Sequence, residues 1–240
     1  MLAVRAGNGN RVNPGPTSRR SIVRRLLAVP FALSLILFLS AGTLAWAKGW
    51  VFLLVTVVAL RVAALYLWRV NPEIFAARRG IHKGTKFWDK ILIGFVIAAL
   101  LAIFVVAAVD YGRFNCSALP WWAVGGGYGL FLAGFTLTAW AQGVNRFFEP
   151  GVRIQTERGH HVVATGPYAF VRHPGYFAAC LLFAGVALSL GSLLALVPAC
   201  LDALLIILRT SLEDRTLRQE LPGYEEYSQK VRYQLIPGVW

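Results

Sequence analysis

The chain has 240 residues, 57% hydrophobic and 15% charged, with a mean hydropathy of +0.59. Soluble domains usually carry roughly half apolar and a quarter charged residues, so a water-soluble globular fold is excluded and a bilayer is the expected solvent. The formal net charge of +13 sits in the segments between apolar runs, which reads as membrane topology and not as a nucleic-acid surface.

Residues 1–25 carry Arg5, Arg11, Arg19, Arg20, Arg24 and Arg25, no acid and no apolar period, the composition of a disordered basic arm. Leu26 to Trp46 is long enough for a first, uncleaved membrane helix, longer than the core of a signal peptide. A second run, Gly49 to Trp68, has Arg61 in its interior, read equally as a functional flag or as an arginine paired or snorkelling. A basic loop opened by Asn71-Pro72 follows. The third run is Ile91 to Val109, and the fourth, Trp121 to Gln142, opens on interfacial tryptophans and contains glycines that permit close helix packing.

The last apolar run, Tyr176 to Leu208, would be roughly 50 Å long as one helix, too long for a ~30 Å hydrocarbon core. Leu190-Gly191-Ser192 and Pro198 are candidate breaks, with Ser192 as a candidate N-cap, and a tight helical hairpin is predicted. Ser211 to Arg232 then reads as an amphipathic tail helix interrupted at Pro222-Gly223. Lysine and arginine are dense in every second connection, so the expectation is an all-α polytopic bundle of about six membrane helices with both termini cytoplasmic. The organisation expected is a basic arm over 1–25, four spans over 26–144, and a catalytic region over 145–240.

The polar window Arg158 to Tyr176, RGHHVVATGPYAFVRHPGY, concentrates the chemistry. A second patch, Arg209 to Arg215, carries Glu213 and Asp214 and would return to the same membrane face if the intervening run doubles back. The planar fork of Arg172 suits a carboxylate, and an acid pair suits ribose hydroxyls or an ammonium or sulfonium charge. Tyr168, Phe170 and Tyr176 are available to stack on a base or a cation. The competing reading makes Arg172 and His173 headgroup anchors for the next helix. His160, His161 and His173 fit no zinc template, and Cys116, Cys180 and Cys200 have no ligand spacing, so no metal is expected.

These residues resemble the membrane methyltransferases of the isoprenylcysteine carboxyl methyltransferase and phospholipid N-methyltransferase group. The shared pattern is Gly159-His160, Gly166-Pro167-Tyr168, Arg172-His173-Pro174 with Tyr176, an apolar hairpin, an acidic pair, and a closing Tyr224-Glu225-Glu226-Tyr227. The chain departs from it in having Glu213-Asp214 where the group has two glutamates. The resemblance spans Asn145 to Trp240. It implies S-adenosylmethionine as cofactor, held by His160, Gly166, Tyr168, Arg172, His173, Pro174, Tyr176, Glu213 and Asp214, with Arg172 and Glu213 as catalytic candidates. It also implies a lipid or prenylated acceptor drawn from the bilayer, and in a bacterial cell an inner-membrane location. An NADPH-dependent membrane reductase of the sterol reductase type and a non-enzymatic transporter or scaffold are the alternatives.

Overall fold

The computed structural model describes residues 19–117 and 119–240, and most of the expected basic arm lies outside them. Helix α1 spans Arg19–Ala41, so it takes in Arg19 to Arg25 and begins before the apolar run does. It stops at Gly42, whose φ of +69° ends the helical path. The expected first span is thereby shortened at its far end: Trp46 lies beyond α1, turned inward and 1% exposed.

Helices α2 (Ala47–Val70), α3 (Ile74–Ala77) and α4 (Phe87–Val109) follow, and α4 closes in a π-turn over Asp110–Phe114. Next come α5 (Trp121–Val144), α6 (Pro174–Ser189), α7 (Leu196–Glu220) and α8 (Tyr224–Lys230). Three of these, taken as Arg20–Ala41, Ala47–Val70 and Phe87–Phe114, are long and apolar enough to cross a membrane. Helix α5 has 24 residues, but tryptophan and glycine dilute its hydropathy. Helix α6 is a shorter apolar helix of 16 residues. A count of six crossings therefore rests on α5 and the α6–α7 hairpin as well as on the three clear spans. The outward faces carry Leu39, Val62, Leu65, Phe95 and Leu204, all more than half exposed, as lipid-facing side chains are.

The bundle closes on α5 and α6. A Cβ at Gly134 would lie 2.7 Å from the carbonyl oxygen of Ala178, and one at Gly185 would lie 2.5 Å from the amide nitrogen of Phe131. Only glycine allows that approach, the small-residue packing used where no hydrophobic effect drives helices together. At the end of the bundle away from the polar window, Leu37, Trp46, Phe52, Ile103, Phe131 and Leu190 share one core.

The hairpin turns where the sequence predicts. Gly191 has φ +81°, and Ser192 Oγ accepts a hydrogen bond from the Ala195 amide at 3.1 Å. Pro198 is not a break; it sits in the first turn of α7, where a missing N–H costs nothing. Asp110 fastens this turn to the end of α4. It accepts from Ser192 Oγ and from the amides of Cys116 (3.0 Å) and Ser117 (3.2 Å). From its start α7 runs on without interruption through the polar patch to Glu220, so Glu213 and Asp214 ride the same rigid helix that crosses the core.

Candidate functional site

At the polar end, α7 meets the loop between α5 and α6. That loop is an irregular segment held by its own side chains. Gln155 Nε2 donates to the carbonyl of Phe147 at 2.7 Å, Arg158 Nη1 donates to Gln155 Oε1 at 2.6 Å, and Arg153 bridges Glu149 and Glu157 at 2.7 Å each. Asp89, in the first turn of α4, pins the loop by accepting from the Val152 amide at 2.6 Å. The same carboxylate takes a two-point ion pair from Arg209 of α7, at 2.6 and 3.1 Å. One buried acid thus fixes the loop, α4 and α7 relative to one another.

Between them lies a cavity of about 450 Å³, within the range of roughly 300–1,000 Å³ usual for small-molecule sites. Its walls include His160, Tyr168, Arg172, His173, Pro174, Tyr176 and Glu213, so seven of the nine residues expected to hold a cofactor line one space. Gly166 and Asp214 are not on its walls. Gly166 has φ +59° and sits against α5, where a Cβ would press on Val144 at 2.9 Å. Its part is to let the turn before Tyr168 pack on that helix.

Asp214 is a knot beneath the cavity. It accepts from Arg172 Nε (2.7 Å) and Nη2 (3.1 Å), His173 Nε2 (3.3 Å), Tyr224 Oη (2.8 Å) and Arg218 Nε (2.9 Å). Burial opposes its ionisation most strongly, yet the hydrogen bonds from His173, Arg172 and Arg218 together hold the carboxyl far below the ordinary carboxylate range. Arg172 is consumed by the same knot. Its Nη1 donates to the carbonyls of Val231 (2.8 Å) and Arg232 (2.7 Å), and its backbone amide donates to Tyr233 (2.9 Å). A guanidinium has five N–H groups, and these contacts use four. The expectation that Arg172 grips a ligand carboxylate meets a side chain already committed to joining the start of α6, α7 and the C-terminal tail.

Glu213, one residue earlier, points the other way, because successive helical residues are rotated by about 100°. It faces the cavity and accepts a short hydrogen bond from Tyr176 Oη. The Tyr176 ring is stacked on His173, with centroids 5.7 Å apart, and carries the Arg209 guanidinium 5.2 Å from its centre. His160 also lines the cavity, its ring 4.6 Å from that of Phe147, and burial depresses its pKa to about 4, which favours the neutral ring. Tyr168 Oη accepts from Asn145 Nδ2 at 3.1 Å, and its phenol is pushed up by burial.

The cavity also contains residues that sequence reasoning passed over: Arg78, Gln142, Glu149, Arg153 and Arg209. Arg209 had a signal, standing one helical turn before Glu213 and hence on the same face. Arg78 had none, since it arrives from the distant segment after α2. At its deep end the lining turns apolar, with Ile93, Val96 and Ile97 of α4 and Leu182 and Phe183 of α6.

The arrangement offers an under-committed carboxylate, aromatic faces, neutral imidazole and an apolar floor opening toward the bundle. Residues 129–219 match the model of the Isoprenylcysteine carboxyl methyltransferase (ICMT) family, a stretch that contains α6, most of α5 and the Glu213–Asp214 pair. No curated protein matches the chain.

Proposed function

We propose, taking the family match over 129–219 as the premise, that this protein is an integral membrane methyltransferase using S-adenosylmethionine on a lipid or lipidated acceptor. Methyl transfer is the activity of that family, and the apolar helices α1, α2 and α4 suit a membrane protein. The observation that carries the reading is the convergence on one cavity of Glu213, Tyr176, His173 and His160, drawn from the loop, the start of α6 and α7.

The residues present suit the cofactor's chemistry. Glu213 supplies the negative charge that an ammonium or sulfonium seeks, with its lone pairs aimed into the cavity by the Tyr176 hydroxyl. Tyr176 and Tyr168 supply faces for an adenine or a cation. Neutral His160 offers a ring nitrogen without adding positive charge beside a cationic ligand. Bound there, S-adenosylmethionine would supply an activated methyl group on a positively charged sulfur.

The protein's share of the reaction is alignment and dryness. In-line displacement needs the acceptor's lone pair opposite the breaking C–S bond, and holding two reactants so is worth several orders of magnitude in rate. Walls of Ile93, Val96, Leu182 and Phe183 keep water out of the deep end and admit an apolar chain from the bilayer side. Arg172 and Asp214 act as positioning residues: by locking the tail to the start of α6 they hold His173 and Tyr176 where they line the cavity. The arginine and lysine of the connections nearest the site support a cytoplasmic orientation for that end of the bundle, by the bias of basic residues toward the cytoplasmic side.

Calorimetric titration of the purified protein with S-adenosylmethionine tests the reading directly. Saturable binding is expected, together with transfer of label from the cofactor to a component of a lipid extract. Absence of binding at millimolar cofactor overturns it.

A further inference from the structure

The cations on the cavity wall are matched one by one. Arg153 pairs with Glu149 at 2.7 Å, Arg172 with Asp214 at 2.7 Å and Arg209 with Asp89 at 2.6 Å. Arg78 is the exception: it lines the same cavity yet makes no ion pair among the described residues. Its guanidinium carbon lies over the ring of Phe148, 5.2 Å from the ring centre. That ring in turn stands 2.6 Å from where a Cβ on Gly175 would be, at the first turn of α6. Burial, and next the charge of Arg209, work against its proton, which is the condition of a cation that lacks a counter-charge. A partly buried arginine is costly to leave so.

Two features say what completes it. Arg78 follows α3 and lies outside residues 129–219, as do Ile93, Val96 and Ile97 of α4. The matched segment supplies the carboxylate and the rings suited to the cofactor, so the groups added from outside it are those left for the acceptor. They are also arranged as an amphiphile requires. At 1.5 Å per helical residue, Ile93 and Ile97 lie roughly 6 and 12 Å along α4 from Asp89, whose partner Arg209 lines the cavity with Arg78 and interacts with it.

We infer that Arg78 is the receptor for an anionic group, a carboxylate or a phosphate, on a methyl acceptor whose apolar chain runs along Ile93, Val96 and Ile97 of α4. The planar fork of arginine is matched to both oxyanions. The inference rests on the methyltransferase reading for the word acceptor, and it sharpens that reading by excluding lipids with a neutral or purely cationic head.

The test uses full-length protein in nanodiscs of neutral lipid, as wild type, Arg78→Gln and Arg78→Lys. Thermal stability is followed with tetradecyl phosphate, myristate and tetradecanol as probes, and S-adenosylmethionine affinity is measured separately by calorimetry. Wild type should be stabilised by the phosphate or the carboxylate at concentrations at least tenfold below those needed for the alcohol. Arg78→Gln should erase that preference and Arg78→Lys should keep part of it, both binding S-adenosylmethionine within about twofold of wild type. Equal response of wild type to all three amphiphiles overturns the inference. So does a tenfold loss of cofactor affinity in Arg78→Gln with the amphiphile preference intact, which would assign Arg78 to the cofactor's own carboxylate. Failure of wild type to bind S-adenosylmethionine would instead strike the methyltransferase reading, and the amphiphile result would stand apart from it.

Discussion

Glu213 and Asp214 are neighbours in sequence and opposites in use. Asp214 accepts hydrogen bonds from four side chains and is nearly inaccessible, whereas Glu213 has one hydroxyl partner and faces a cavity. The two sides of α7 thus divide architecture from chemistry. A buried charge whose lone pairs are all satisfied within the chain has nothing left for a ligand. A charge with capacity to spare beside a cavity is where ligand energy is available.

The sharpest way to break this contrast is to remove each acid. Asp214→Ala strands Arg172, and truncating one partner of a buried ion pair costs about 3–5 kcal/mol. The variant should melt well below wild type in detergent and free the C-terminal tail to proteolysis after Arg232. Glu213→Gln keeps the shape and the hydrogen bond to Tyr176 while removing the charge. It should melt within a few degrees of wild type but bind S-adenosylmethionine roughly tenfold to a hundredfold more weakly, the worth of a hydrogen bond to a charged group. If Glu213→Gln unfolds the protein while Asp214→Ala only weakens the cofactor, the division of α7 is reversed.

A third carboxylate on the same helix extends the comparison into the bundle. Asp202 is 0% exposed, and neither of its oxygens has a hydrogen-bond partner among the described residues. It stands two turns deeper than Arg209, on the same face of α7. Its isolation in an apolar interior is a cost and not a contact. Asp202→Leu should raise the melting temperature, by the equivalent of about 1–3 kcal/mol, and leave cofactor affinity unchanged. A gain in stability accompanied by loss of methyl transfer would instead bring Asp202 into the site's chemistry.

What could be read in advance follows from the range of the interactions involved. Hydrophobic runs, the break at Gly191 and the closeness of the six motif residues between His160 and Tyr176 are local or near-local matters that sequence patterns carry, whereas Glu213 joins them only because the hairpin returns α7 to the same end. The different fates of Glu213 and Asp214 depend on helical phase, which becomes definite only once α7 is known to run unbroken from Leu196 to Glu220. The commitment of Arg172 to Val231 and Arg232 depends on a tail returning from 59 residues away. Arg78 and Asp89 reach the site from the other half of the chain, where no motif marks them. The role of Asp89 follows from α4 packing against α7, and Arg78 comes to the cavity at the end of α3, tertiary facts without a local signature.

The smallest effect expected lies at His160, which lines the same cavity as Glu213. Its ring is packed on Phe147, and its pKa is depressed to about 4 from an ordinary value of 6.5, burial being the main cause. The unfolded chain therefore takes up a proton near pH 6.5 that the folded chain refuses until about pH 4. More protons on the unfolded side mean that stability falls as pH falls through that window, and that nothing changes at this residue above it. Partial exposure screens the effect, so about 1 kcal/mol is the scale expected. Melting temperatures of wild type and His160→Asn measured from pH 7.5 to 4.5 should diverge at the acid end, with wild type losing the more. Parallel curves would mean that the imidazole charges without penalty in the folded protein. The neutral ring assigned to that wall of the cavity would then be a cation, set against a ligand whose own charge is positive.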